Sequence, residues 1–389
     1  MHAVMIYSKF GPFHVARLRA AAGEGRQNGD RLTSIELAGS QADYGWAAVP
    51  PTPDFESRCL FPERDYWQLR GHELRRKLLA ALHEIDPDVV MVPGWSAREA
   101  RATLAWCLRN GVPRVIVSDS QPEDRPQRAL RVWVKRRWLR LCQAGFVGGT
   151  PHVRFLDRLG MPASRCFPGC TVADNEWFDR EVGRRPAPRE GDRAFRLLSC
   201  TRLVPEKNLL ATLAAMSREP RDWVWSIAGH GPLQTKMEEL IVRRGLQDRV
   251  ELLGHVPYEK LPALYRAADL YLQPSVSETW GLAVNEAMAC GLPVIVSDRC
   301  GCREDLVRDA ENGFLFDPLD PEGLGKALAR VRKARDRWPD MGQASRRIVA
   351  AWGLDLYALN FWRACRAACE VPRSKRADRV AAYLIALAS

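Results

Sequence analysis

The sequence SVSETWGLAVNEAMACGLPVIVSD (residues 275–298) follows an apolar run at residues 270–273 and predicts a turn, a helix and a strand. The helix begins near Trp280 and ends at Gly291, and the next strand starts at Pro293. Two strands joined through a helix in this way are typical of a doubly wound α/β sheet. Such sheets bind ligands at the carboxyl ends of their strands, so the turn before the helix is a candidate site.

Two carboxylates lie on this unit. Glu278 is in the turn at the entrance of the helix, and Glu286 lies one to two turns inside it. Their separation corresponds to about 80° of helical rotation, so we expect both to face the same side. The amides at residues 280–282 form a predicted anion site, and Gly281 lets a ligand approach the backbone closely. The arrangement suits a phosphate flanked by carboxylates that accept sugar hydroxyls. A charge at the helix entrance is the simpler alternative for Glu278.

Two loops after other predicted strands carry further candidates. CTRLVPEKNLL places Arg202 and Lys207 five residues apart, and two such cations can bind a diphosphate. IAGHGPL contains Gly229 and Gly231, whose missing side chains leave room for a nucleotide. Taken singly, a solvated loop and ordinary turn glycines are the simpler explanations. Their joint occurrence, in order and each at a strand end, favours a binding site.

The same alternation of strands and helices extends over both halves of the chain. Strands are predicted at residues 2–8, 89–93, 114–118, 146–148, 196–200, 224–228, 250–253, 270–273, 293–297 and 313–316. Helices are predicted at residues 12–23, 67–84, 96–109, 128–143, 209–218, 233–243, 261–267, 281–289 and 322–333. Residues 41–64 are predicted to form a long irregular loop.

This pattern predicts two Rossmann-like domains. The first covers residues 1–180, a Pro- and Arg-rich linker covers 181–194, and the second domain covers 195–344. Residues 345–389 are predicted to be a helical segment that packs back on the first domain. We expect the two doubly wound domains to face each other across a central cleft.

Composition bounds the function. A chain of 389 residues is too long for one ordinary core, and 46% hydrophobic residues exclude a disordered protein. The 11 cysteines lack zinc-like spacing and are predicted to be buried thiols. No apolar run approaches the roughly 20 residues of a membrane span, which predicts a cytoplasmic protein, with peripheral attachment to the inner membrane face left open. The net charge of +11 indicates an anionic partner, whether nucleic acid, membrane or phosphate-bearing substrate.

Together the motifs resemble those of a known family, the retaining family-four glycosyltransferases (glycosyl transferases group 1) of the GT-B fold. The resemblance is strong over residues 196–317 and weaker but continuous over the first half. It rests mainly on the E-x7-E motif at Glu278 and Glu286. TRLVPEKN, IAGHGPL, ELLGHVPYEKLPALYRAADLYLQPS and ENGFLFDP support it.

The resemblance implies a nucleotide-diphosphate sugar as donor substrate, with no cofactor and no metal ion. Among the catalytic residues it implies, Arg202 and Lys207 bind the donor diphosphate and neutralise the leaving nucleotide, and Glu278 contacts donor sugar hydroxyls. Glu286 would bind the ribose hydroxyls. The other implied donor contacts are the phosphate-binding amides of Trp280, Gly281 and Leu282, the base-binding segment around Gly254 and Val256, and the loop glycines Gly229, Gly231 and Gly11.

This sequence departs from the family pattern in places. Thr201 stands where a glycine usually precedes the arginine, and Cys300 replaces the first of two glycines, both with small side chains. The N-terminal double-glycine loop is reduced to FGPFH, with Gly11 as its one glycine. The family's histidine after a central strand is replaced in VIVSDS, which has Asp119 there. His14 and Asp119 are the candidates for acceptor contacts, and a structural role is the alternative for the histidine.

One further segment is rich in basic and aromatic residues. EDRPQRALRVWVKRRWLR (residues 123–140) surrounds Trp133 and Trp138 with seven cations. Two interpretations remain open: contact with an anionic membrane or a phosphorylated lipid acceptor, or a solvated basic helix with its tryptophans in the core. Basic residues before the apolar run at 380–387 are a second candidate membrane contact of the same kind.

The sequence therefore predicts a retaining, metal-independent glycosyltransferase of the hexosyltransferase type. Its expected partners are a nucleotide-sugar donor and a glycan or lipid-linked acceptor, as in polysaccharide biosynthesis, and nucleic acid is not expected. A nucleotide-sugar epimerase or a phosphorylase of the same fold is the enzymatic alternative. A non-catalytic basic protein that binds nucleic acid or anionic glycans is the alternative from another class.

Overall fold

The chain divides into two units, each built around its own parallel sheet. The computed structural model describes residues 1–42, 54–124, 126–183 and 194–372. Unit 1 comprises Met1–Val172 together with the chain from Leu354, and unit 2 comprises Ala173–Gly353. These boundaries differ from those predicted at residues 180 and 344, because the helices at Asn175–Val182 and Trp338–Ala350 belong to unit 2. Most of the predicted linker, residues 184–193, lies outside the described residues.

Strands and helices alternate along both units. The strands are β1 (His2–Tyr7), β2 (Arg31–Glu36), β3 (Glu56–Cys59), β4 (Val89–Pro93), β5 (Arg114–Ser118), β6 (Ala144–Val147), β7 (Cys166–Pro168), β8 (Phe195–Cys200), β9 (Trp223–Ala228), β10 (Val250–Gly254), β11 (Leu270–Gln273), β12 (Val294–Ser297) and β13 (Gly313–Phe316). The helices are α1 (Pro12–Gln27), α2 (Gly71–Ile85), α3 (Ala100–Asn110), α4 (Ala129–Leu139), α5 (Thr150–Leu159), α6 (Asn175–Val182), α7 (Leu209–Met216), α8 (Gln234–Arg243), α9 (Leu261–Ala267), α10 (Leu282–Ala289), α11 (Arg303–Leu306), α12 (Gly323–Lys333), α13 (Trp338–Ala350) and α14 (Leu354–Glu370).

Unit 1 is built on a seven-stranded parallel sheet in the order β3-β2-β1-β4-β5-β6-β7. Three of these strands, β2, β3 and β7, were not predicted. The fully buried residues of β2 include Thr33 and Ser34. Because these residues are polar, the sequence of β2 lacks the apolar run that would predict a buried strand. The predicted irregular loop at 41–64 was wrong in part, because β3 lies within it as a half-exposed edge strand, while residues 43–53 lie outside the described residues.

The last described helix, α14, completes the core of unit 1. It packs along α1, and Trp362 donates from Nε1 to the Ala21 carbonyl oxygen at 2.7 Å. The two helices approach closely at Gly25, where an added Cβ would lie 2.5 Å from the Trp362 ring. The Tyr7 and Tyr357 hydroxyls also share a hydrogen bond of 3.1 Å. Residues 345–389 were predicted to pack back on the first domain. Within this segment, α14 belongs to unit 1, whereas residues 345–353 belong to unit 2.

Unit 2 repeats the doubly wound architecture. Its six parallel strands have the order β10-β9-β8-β11-β12-β13. The central strands β11 and β12 are buried along their whole length, because helices cover both faces of a parallel sheet. The helix α10 is buried nearly all round and lies between the sheet and α13.

None of the helices in the described part of the chain has both the length and the apolar character required to cross a bilayer.

Candidate functional site

The strand order of unit 2 places a crevice between β8 and β11. These strands are neighbours, with Leu270 opposite Leu197 and Tyr271 opposite Leu198. From β8 the chain continues through α7 to β9 on one side, and from β11 it continues through α10 to β12 on the other. The chain therefore continues in opposite directions along the sheet after the carboxyl ends of β8 and β11, and such a point is where doubly wound sheets bind ligands.

A lysine and a glutamate meet at this point. Lys207, in the short 3-10 helix Pro205–Lys207 after β8, forms an ion pair through Nζ with Oε2 of Glu278, after β11. Both side chains are only 13% exposed. The same Oε2 accepts hydrogen bonds from Gln273 Nε2 at 3.0 Å and Ser275 Oγ at 3.4 Å. The site thus holds a desolvated charge pair whose carboxylate is fixed by three donors.

The backbone holds the two loops together. The Val276 amide donates to the Glu206 carbonyl at 2.9 Å, which ties the loop after β11 to the turn carrying Lys207. The Gly301 amide donates to the Glu278 carbonyl at 2.9 Å. The position of the ion pair is therefore set by main-chain contacts as well as by the side chains.

The predicted phosphate-binding turn leads directly into α10. Gly281 caps the helix with φ of 102°, a left-handed conformation that favours glycine. The first-turn amides of a helix lack acceptors within the helix and attract anions. Trp280 is 1% exposed and donates from Nε1 to Asn285 at 2.7 Å, so its side chain belongs to the core. The binding of phosphate by the backbone amides of Trp280 and Leu282 stays a prediction.

Glu286 lies one turn inside α10 and is 6% exposed. Its Oε2 accepts a 2.7 Å hydrogen bond from the hydroxyl of Tyr265 on α9, which sequence reasoning did not select. Burial, and then the nearby Cys200 and Glu286, raise the pKa of Tyr265 well above its usual value. The tyrosine therefore stays protonated and serves as the donor that orients the carboxylate.

A chain of hydrogen bonds from β11 orients the Glu278 carboxylate. Tyr271 donates from its hydroxyl to Gln273 Oε1 at 2.7 Å, and Gln273 donates from Nε2 to Ser275 and to Glu278. Tyr271 is fully buried and Gln273 is 2% exposed. A polar residue that ends an otherwise apolar strand, as in LYLQ, is the sequence signal that could have found this support.

The glycines of IAGHGPL have a structural explanation that the prediction lacked. At Gly229, with φ of 143°, an added Cβ would lie 1.8 Å from the Thr201 carbonyl oxygen. At Gly231 it would lie 2.5 Å from the Leu203 carbonyl oxygen. The room left by these glycines is taken up by the backbone that leads to Arg202, so a nucleotide contact at either position stays a prediction. Gly254 differs, because nothing lies within 4 Å of its added Cβ.

The remaining predicted donor residues surround these loops. Arg202 is exposed in the loop between β8 and the Lys207 turn. Val256 is half-buried just beyond β10. The rings of His230 and His255, from the loops after β9 and β10, meet edge to face at 5.7 Å. These residues extend the candidate site along the carboxyl edge of the unit 2 sheet.

In unit 1, Gly11 and His14 form a helix cap. The Gly11 amide donates to His14 Nδ1 at 2.9 Å at the start of α1. Burial, and then Arg17, hold the pKa of His14 well below its usual value, so the ring is neutral at pH 7. His152 repeats the arrangement at α5, where it accepts from the Gly149 amide at 2.9 Å. The repeated G-x-x-H pattern was a signal for this capping role that the sequence analysis missed.

Asp119 follows β5 at the carboxyl edge of the unit 1 sheet and is half-buried. Burial raises the pKa of Cys170 to about 12, and the nearby Asp119 carboxylate adds to this shift. Burial also raises the pKa of Asp124, again with a contribution from Asp119. Among the described residues, no group of three or more His, Cys, Asp and Glu side chains has an arrangement that could hold a metal ion.

Comparison with known structures defines the fold class. Sucrose-phosphate synthase from Thermosynechococcus elongatus superposes with a TM-score of 0.72 at 20% identity, over 94% of this chain and 98% of that protein. Anabaena HepE, solved in complex with UDP, superposes with a TM-score of 0.69 at 17% identity, over 94% and 98%. The two Rossmann-like units have the GT-B architecture, as predicted.

Sequence comparison finds a family resemblance within the second unit. Residues 184–348 match the family model described as "Glycosyl transferases group 1", which confirms the predicted resemblance to that group for this part of the chain. A D-inositol 3-phosphate glycosyltransferase of Salinispora tropica is 36% identical over 165 residues, 40% of this chain and 32% of the relative. A GDP-mannose-dependent α-(1-6)-phosphatidylinositol monomannoside mannosyltransferase of Mycolicibacterium smegmatis is 29% identical over 226 residues, 54% and 57% of the two chains. The chain spans less than two thirds of the length of either relative.

Proposed function

We propose that this protein transfers a sugar from a nucleoside-diphosphate donor to a glycan or lipid-linked acceptor with retention of anomeric configuration. The observation that carries the proposal is the largely buried Lys207–Glu278 ion pair between the loops that follow β8 and β11. The group 1 family match over the same unit supports it. The two relatives described above are named for transfer onto an inositol phosphate and onto a phosphatidylinositol mannoside, which supports acceptors of this kind.

The donor diphosphate binds, in this proposal, between Lys207, Arg202 and the first turn of α10. Lys207 supplies a point charge in a low-dielectric site, and Arg202 supplies a fork that suits phosphate oxygens. Their charges, with the helix amides, stabilise the negative charge that develops on the departing nucleotide. Gln273 and Ser275 keep Glu278 oriented toward the donor sugar hydroxyls. Glu286, held by Tyr265, accepts the ribose hydroxyls.

The chemical step requires no protein nucleophile in this scheme. The acceptor hydroxyl attacks the anomeric carbon from the face that the diphosphate leaves, and a donor phosphate oxygen takes the hydroxyl proton. Positioning and charge stabilisation supply the rate enhancement, without a metal ion or a cofactor. In unit 1, Asp119 is the proposed acceptor contact. His14 is the weaker candidate, because its Nδ1 already accepts from the Gly11 amide.

Calorimetric titration with UDP, GDP and ADP tests the donor site. At about 100 times its dissociation constant, a bound nucleotide stabilises a protein by about 2.7 kcal/mol, so a thermal-shift measurement gives an independent check. We expect one nucleotide to bind, and Lys207→Ala to abolish most of that binding. Lys326→Ala is the matched control, because Lys326 pairs with Asp320 and Glu322 on the surface of the same unit. Failure of all three nucleotides to bind would contradict the proposal.

Product analysis tests the reaction. With the donor identified, NMR of the product formed on a glycan acceptor should show the anomeric configuration of the donor sugar. An inverted product would overturn the retaining mechanism. Consumption of donor without acceptor would indicate an epimerase, and a requirement for free phosphate would indicate a phosphorylase.

A further inference from the structure

The helix α4 of unit 1 exposes an apolar stripe to solvent. Leu130 is 71% exposed, Trp133 52% and Val134 46%. With Arg137 they follow the spacing i, i+3, i+4, i+7, so they lie on one face of the helix. The Arg137 guanidinium lies over the Trp133 ring at 4.3 Å. The geometry points to α4 as the surface by which this protein docks on an anionic lipid membrane.

The opposite face of α4 anchors the helix in unit 1. Trp138 and Leu139 are buried in the core that also contains residues of α3 and α5. The Lys135 ammonium turns inward as well and lies 5.1 Å from the Trp95 ring centre and 4.7 Å from that of Phe155. The two tryptophans of the segment thus have different roles, with Trp138 in the core and Trp133 outside it.

The charge around the stripe fits an anionic surface. Residues 128–140 contain six cations and no carboxylate, and Arg131, Arg136 and Arg140 are exposed beside the stripe. The excess charge is also confined to one unit. Unit 1 has 31 Lys and Arg against 20 Asp and Glu, a net +11, whereas unit 2 has 27 of each. A basic helix with an aromatic and aliphatic face binds in the interface of anionic membranes.

Other occupants fit this face less well. Nucleic acid would meet the cations, but the centre of the contact would be leucine, tryptophan and valine, which have no partner on a phosphate backbone. A second copy of the chain would bring the same cations face to face. Residues 373–389 carry four cations and one carboxylate, so their charge does not complement α4 either.

Co-sedimentation of the full chain with vesicles tests the surface. We expect binding to phosphatidylglycerol–phosphatidylcholine vesicles and little binding to pure phosphatidylcholine. The double variant Arg131→Gln and Arg137→Gln should weaken vesicle binding about 25-fold, because each cation near an anionic membrane surface strengthens binding about fivefold. Leu130→Ser, Trp133→Ser and Val134→Ser together should weaken it at least about tenfold. The matched control is Val242→Ser with Arg243→Gln and Arg244→Gln, an exposed apolar and basic set at the carboxyl end of α8 in unit 2.

The outcomes separate the occupants. Unchanged thermal unfolding and nucleotide binding in the α4 variants, together with lost vesicle binding, support the membrane surface. Vesicle binding that survives both α4 variants, or that falls equally in the α8 control, overturns it. If the protein does not bind vesicles, but binds duplex DNA and still does so after loss of the apolar stripe, α4 is assigned to nucleic acid instead. If the protein does not bind vesicles, but self-associates with increasing concentration and the apolar variant abolishes this self-association, α4 is assigned to contact with a second copy of the chain.

Discussion

At the residue scale, the candidate site depends on carboxylates held by largely buried hydrogen-bond donors. Replacing Tyr265 with Phe removes the 2.7 Å hydrogen bond to Glu286 without changing the packing of the ring. Loss of a hydrogen bond to a charged group costs about 1.5–3 kcal/mol. We expect the affinity for the donor nucleotide to fall by about tenfold or more in calorimetry. Tyr357→Phe is the control: it removes a buried hydroxyl of unit 1 and should leave nucleotide affinity unchanged. Equal affinity losses in both variants would rule out a specific role for Tyr265.

A second effect at this scale concerns backbone strain. Gly229→Ala places a methyl group 1.8 Å from the Thr201 carbonyl oxygen, and the loop before Lys207 must move to accommodate it. We expect the free energy of unfolding to fall by more than about 3 kcal/mol. Gly254→Ala also has a left-handed φ, of 65°, but meets no neighbour. It should cost only about 1–2 kcal/mol in urea denaturation. Similar losses in the two variants would show that the loop relaxes freely.

The histidine cap of α1 predicts a dependence of stability on pH. Folded His14 stays neutral, whereas the unfolded chain takes up a proton near pH 6.5, so lowering the pH below about 6.5 favours the unfolded state. This residue can reduce the free energy of unfolding by up to about 1.4 kcal/mol per pH unit. His14→Gln keeps a cap acceptor but cannot titrate, so denaturation at pH 7.5 and 5.5 should show a smaller difference than in the wild type. An unchanged difference would assign the dependence to other groups, such as His2, whose pKa burial also lowers.

At the scale of elements, α14 makes unit 1 depend on the far end of the chain. Trp362 is fully buried against α1 and donates to Ala21, so Trp362→Ala removes both a large apolar contact and a hydrogen bond. Such a truncation costs about 3–5 kcal/mol. We expect a lower thermal unfolding midpoint, together with nucleotide affinity like that of the wild type at low temperature, because the proposed donor site lies in unit 2. Trp133→Ala, on the exposed face of α4, should leave the midpoint unchanged. If Trp362→Ala also leaves it unchanged, the helix is not part of the cooperative core.

Elements differ in how far the sequence predicts them. Central strands such as β11 and β12 are continuous apolar runs, because both faces are buried, and they were predicted closely. The strand β2 was missed because hydrogen bonding inside the sheet, as from Ser34 to Met5, lets polar residues be buried. The helix entrance and Glu278 follow from local turn chemistry. Their contact with Lys207, 71 residues earlier, depends on strand order, which local spacing does not encode.

At the scale of the whole molecule, charge divides the protein into a basic unit 1 and a neutral unit 2. Salt screens exposed charges strongly and desolvated pairs much less. Raising NaCl from about 50 to 500 mM should therefore reduce binding to anionic vesicles by more than about tenfold. Nucleotide affinity, which in our proposal depends on Lys207, a side chain only 13% exposed, should fall by less than about threefold. Parallel titrations on one protein preparation would measure both. If both affinities fell by the same factor, vesicle binding and nucleotide binding would not be confined to separate units. The basic unit 1 would then contribute to nucleotide binding as well.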